Sequence, residues 1–176
     1  KIIMDNDWHD KKFLKEFSDF PLIIRKDNLK RLKPEDFIQK YNNQLPKDGP
    51  SYKIHGLKKE QYDKIGDFTV FDKTTNSVKP LTREDVGALL KKKKLDPALE
   101  WNGTIRGKKG KDIEVCTLFW AYKHIHLKDY DLDTVVQITH SNKKLIKKLA
   151  KDLATIKPAA IHIGEGLNHW FHAVEN

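Results

Sequence analysis

Lys157-Pro158-Ala159-Ala160-Ile161-His162-Ile163-Gly164-Glu165-Gly166-Leu167-Asn168-His169-Trp170-Phe171-His172 joins a helix stop, an apolar run and a glycine loop. Pro158 cannot continue the Lys- and Leu-rich helix before it. The run Ala159 to Ile163 is uninterrupted by glycine and predicts a strand in the interior of a parallel sheet. Helix, short buried strand and glycine loop in this order build the phosphate-cradling corner of an open α/β sheet. Gly164 and Gly166 would let the backbone approach an anionic cofactor, toward which the N–H groups of a following helix point. The same loop delivers Asn168, His169 and His172 to that corner.

Each of these side chains has more than one use. His169 and His172 are three residues apart and share one side of a helix, a spacing that serves packing, cofactor contact or a zinc pair alike. Asn168 can cap the following helix or donate to a cofactor or substrate oxygen. Glu165 reads equally as a surface carboxylate or as a contact to polar cofactor atoms. Trp170 and Phe171 read as core anchors rather than stacking partners.

Upstream, Ser141 is the expected N-cap of the last full helix. Leu145, Ile146, Leu149 and Leu153 form its apolar face, and Lys143, Lys144, Lys147, Lys148 and Lys151 lie largely on the other. Asp131 caps the helix before it. The alternation Asp129, Asp131, Asp133 invites a calcium reading, but Thr134 and His140 occupy the positions where an EF-hand needs Gly and Glu. His124 and His126 are expected at the surface, and Cys116 in an apolar strand is expected buried and inert. Hairpins are predicted for 68–71 with 77–81, across Asp72 to Asn76, and for 103–106 with 112–115, across Gly107 to Gly110. A helix capped by Thr82 is expected between them. Near the start, Asp10 to Phe17 has a short apolar helical face, Pro21 ends it, and Leu22-Ile23-Ile24 reads as a buried strand. Pro34 opens another short helix, and Asn42 to Pro50 is rich in turn formers.

Composition narrows the class. The 176 residues are 38% hydrophobic and 34% charged, the profile of a globular chain able to bury a core. No run of roughly 20 apolar residues is present, and one cysteine excludes a disulfide framework. The net charge of +9 raises a basic nucleic-acid-binding module as an alternative, and the histidine pair raises a zinc hydrolase. The lysines, however, run from end to end with acids among them. The dense run Lys91 to Lys94 follows Leu89-Leu90 as the solvated end of a helix would, and no aromatic-rich nucleic-acid motif accompanies it.

The segment Lys157 to His172 closely resembles the large catalytic subunit of respiratory nitrate reductases and related nitrite oxidoreductases, which are molybdopterin (DMSO reductase-like) oxidoreductases. Leu127 to Thr139 is similar to that family's helix and "QITGV"-type turn, with His140 standing where the family usually has Gly. Asn142 to Ala154 resembles its amphipathic helix, and Phe17 to Arg25 the stretch after its "FTDYV" helix.

The resemblance implies an α/β fold: part of a molybdopterin-binding domain with a Rossmann-like parallel sheet and β-hairpin insertions. Residues 1–40 would form a helix-strand segment, 41–122 a hairpin-rich insertion, and 123–176 an α/β segment ending in the cofactor-contacting loop. It implies an internal piece of a larger subunit that interconverts nitrite and nitrate by oxygen-atom transfer at molybdenum bis(molybdopterin guanine dinucleotide). Gly-Glu-Gly, where nitrate reductases more usually have Gly-Ala-Gly, leans toward nitrite oxidation. Gly164, Glu165, Gly166 and Asn168 are the implied cofactor contacts. His172 and then His169 are the implied catalytic hydrogen-bond donors to oxyanion oxygens, neither being a metal ligand. The family's [4Fe-4S] cluster needs cysteines that this one-cysteine chain lacks, and nothing here matches the molybdenum-ligating aspartate motif. Implied partners are the remainder of the same subunit, an iron-sulfur electron-transfer subunit, a haem subunit and small-molecule nitrite or nitrate, with no nucleic acid. The implied location is a membrane-associated complex, leaning to the extracytoplasmic side, with no transmembrane segment in this chain.

Overall fold

The computed structural model describes residues 1–44 and 58–161, which divide into two compact units, Asp10–Asp131 and Lys1–His9 with residues from Leu132 onward. The larger unit begins with the helix Lys11–Phe17, whose first turn is capped where the Asp10 carboxylate accepts from the Phe13 N–H at 2.9 Å. Taking helices in chain order over both units, Ile2–Asp5 is α1 and Lys11–Phe17 is α2. After Pro21 the chain enters β1 (Ile23–Arg25), and Pro34–Asp36 is a single 3₁₀ turn with proline at its start. Helix α3 (Lys59–Ile65) precedes the hairpin of β2 (Phe68–Asp72) and β3 (Ser77–Leu81).

Both predicted hairpins are present. Phe68 pairs with Leu81 and Asp72 with Ser77, closing on a turn in which Asn76 takes φ +51°. The second hairpin pairs β4 (Asn102–Arg106) with β5 (Asp112–Thr117), from Asn102 opposite Cys116 to Arg106 opposite Asp112. β5 pairs also with β1, so the sheet runs β1-β5-β4 and is antiparallel throughout. That pairing joins residues 23–25 and 102–117 in one sheet. The compact units part at residues 9/10 and 131/132.

The core follows from this pairing. Ile23, Leu32 and Val115 form one buried cluster, flanked by Phe71 and Trp101 stacked at 4.1 Å between centroids. Leu22, Val70, Leu81 and Leu90 form a second, and Ile24, Cys116 and Ala121 a third. Gly103 belongs to this packing: a Cβ there would lie 2.8 Å from the Trp101 ring. Thr117 ends β5 and caps α5 (Leu118–Ala121) through its hydroxyl, which accepts from the Trp120 N–H; a π-helical turn, Tyr122–His126, continues it.

One expected helix is a turn instead. Thr82 does not cap a helix: its N–H and hydroxyl donate to Asp85, at 2.7 and 2.8 Å, and folding back in this way delays helix α4 to Ala88–Lys92. Gly87, at φ +51° and with Phe17 2.9 Å from where a Cβ would be, makes the bend.

The smaller unit carries α6 (Leu132–Thr139) and α7 (Lys143–Thr155) together with α1. His140 ends α6 at φ +55°, the left-handed conformation that glycine adopts without strain. Asn142, rather than the expected Ser141, caps α7, its side chain accepting from the N–H groups of Lys144 and Leu145 at 2.9 and 3.2 Å. Either residue type suits the position; the left-handed turn at His140 brings the second of the two into register. Ala159 to Ile161 are exposed and pair with no strand among the described residues. His162 and Ile163 lie outside the described residues.

Candidate functional site

The residues singled out from the sequence, His172, His169, Gly164, Glu165, Gly166 and Asn168, all lie outside the described residues. So do Trp170 and Phe171, and the turn-rich stretch from Leu45. The buried carboxylates and the carboxylate–histidine contact that the structure places are in the unit Asp10–Asp131.

Glu100 is the centre of the first. Its carboxylate accepts from Lys123 Nζ at 3.1 Å to both oxygens, and it meets His124 Nε2 at 2.8 Å. Lys123 and His124 are consecutive in the π-helical turn, and both reach the Glu100 carboxylate. Burial alone would raise the Glu100 carboxyl, and the hydrogen bonds from His124 and Lys123 outweigh it, holding the group below the usual carboxylate range. The imidazole of His124 lies 4.8 Å from the Trp120 ring, over which Lys26 Nζ sits at 4.7 Å. His126 stacks on Tyr122 at 4.9 Å. The two histidines are surface residues, as expected, but His124 is oriented by a carboxylate 24 residues earlier. Sequence reading missed Glu100 because the contact depends on tertiary structure, not spacing.

Two further carboxylates are buried and committed to the backbone. Asp72 accepts from the N–H groups of Thr74, Thr75 and Asp96 and from the Thr75 hydroxyl, between 2.8 and 3.2 Å. Desolvation would raise this carboxyl, yet those donors hold it below its ordinary value. Asp67 accepts from the Tyr41 hydroxyl at 2.5 Å and the Gln44 N–H at 2.7 Å, and burial together with that carboxylate pushes the Tyr41 phenol well up. These are structural anchors for loops. Cys116, also as expected, is buried, and burial raises its thiol, so it is not an activated nucleophile.

A cleft of about 300 Å³ opens beside the β2–β3 hairpin, lined among others by Lys15, Asp19, Leu22, Val70, Arg83 and Asp85. Its charges are largely spoken for: Lys15 pairs with Asp96 at 2.6 Å, and Asp85 with Lys93 at 2.6 Å. Among the described residues, no three His, Cys, Asp or Glu side chains are placed to hold a metal ion. No helix among them is long and apolar enough to cross a membrane.

Comparison with known proteins supplies what this geometry does not. Across 98% of its length the chain is 27% identical to the perchlorate reductase subunit alpha of Dechloromonas aromatica (strain RCB). Over the same share it is 25% identical to the respiratory nitrate reductase subunit alpha of Haloferax mediterranei. It spans 18% and 16% of the length of these relatives. No family model matches the chain. Both similarities fit the resemblance read from the sequence, an internal stretch of a molybdopterin oxidoreductase.

Proposed function

We propose that the chain is part of the catalytic subunit of a molybdenum oxidoreductase of the nitrate/perchlorate reductase type, acting on nitrite and nitrate by oxygen-atom transfer. One observation carries this reading: the two alpha-subunit relatives align over 98% of the chain, including the segment that ends in the Gly-Glu-Gly loop. Because one relative is named for perchlorate and the other for nitrate, they support a reductase of oxyanions as a class. The narrower choice of nitrite and nitrate rests on Asn168-His169-Trp170-Phe171-His172, and the lean toward nitrite oxidation on Glu165.

The described residues offer no ligand set for molybdenum. Under this proposal the metal ligand and the cluster come from elsewhere in the subunit, and this chain supplies contacts from its last segment. Gly164 and Gly166 would offer backbone contacts to the pterin or its diphosphate, and Glu165 and Asn168 would meet the cofactor's polar groups. His172 and His169 donate hydrogen bonds to oxyanion oxygens and orient the substrate. The bound cofactor supplies the two-electron chemistry, and the protein contributes orientation and electrostatics. The α/β domain with a parallel sheet is part of the same proposal, as are an iron-sulfur partner subunit, a haem subunit and a membrane-associated complex.

The test is the molybdenum and pterin content of the natively purified material that contains this chain, with nitrite-oxidising and nitrate-reducing rates measured side by side. About one molybdenum and two pterins per subunit, with turnover of nitrite or nitrate, is the expected result. A chain free of molybdenum that retains zinc would overturn the reading in favour of a histidine-based hydrolase.

A further inference from the structure

We draw no further inference here: the strongest candidate, the cleft of about 300 Å³ beside the β2–β3 hairpin, carries nothing, because its Lys15, Glu16 and Asp85 are paired within the chain to Asp96, Lys91 and Lys93 and nothing in the structure shows what would occupy it.

Discussion

The two compact units differ in what holds them. In Asp10–Asp131, side chains from β1, β2, β3 and β5 are sealed from water, with Ile23, Leu32, Val70, Val115 and Phe119 at 1% exposure or less. In the other unit the helices carry the right pattern but bury little: Ile138 is 73% exposed and Leu145 64%. An amphipathic sequence specifies which face is apolar and not what will cover it. Where hairpins bring nonlocal partners together the pattern closes on itself; where it is only helical it stays open.

The sharpest way to break this contrast is to remove a large side chain from the closed unit. Phe119 packs edge-on against Phe20 at 5.5 Å between centroids and is essentially inaccessible. Phe119→Ala is expected to cost about 3–5 kcal/mol in urea unfolding followed by Trp101 and Trp120 fluorescence. A loss under about 1 kcal/mol would show that this core is not cooperatively packed.

Asp72 offers the next largest effect, and a pH signature. Asp72→Ala removes a buried carboxylate that accepts from an exposed hairpin turn and from the Asp96 N–H, and is expected to cost about 1–2 kcal/mol by the same measurement. Because the folded carboxyl is held below its ordinary value, its contribution is complete above the unfolded value near pH 4. It disappears as the pH falls through the lower folded one. The variant's deficit relative to wild type should therefore shrink on acidification below about pH 4. A deficit constant down to pH 2 would assign the effect to packing instead.

How much of this was legible is a matter of range. The hairpins at 68–81 and 102–117 could be read because turn residues and alternation are local signals. Pairing of β1 with β5 could not, since the partners lie 90 or more positions apart and nothing in either strand names the other. Asp85 turned a predicted Thr82 helix cap into a side-chain turn, a competition between two local hydrogen-bond patterns that spacing does not decide. The Gly-Glu-Gly segment is the reverse case: residue types and resemblance propose a chemistry for it, and its geometry lies outside the described residues.

At the α6–α7 junction the sequence and the structure meet. Asn142→Ala should cost about 1 kcal/mol of helix stability, read by amide exchange along α7, whereas Ser141→Ala should cost almost nothing. Equal effects would mean that the cap alternates between the two residues. His140→Gly removes the strain of a side chain at φ +55° and is expected to gain up to about 1 kcal/mol, less the glycine's entropy.

The smallest expected effect bears most directly on the comparison between the units. Leu149→Ala removes a side chain that already faces water in the chain, so no cavity forms and little transfer energy is lost. In the 176-residue chain the change should be within about 0.5 kcal/mol, the range of ordinary surface substitutions. A cost of 2 kcal/mol or more, seen as faster amide exchange throughout α7, would mean that Leu149 is already covered in the isolated chain. The contrast would then fail, because the helical unit would have a core of its own.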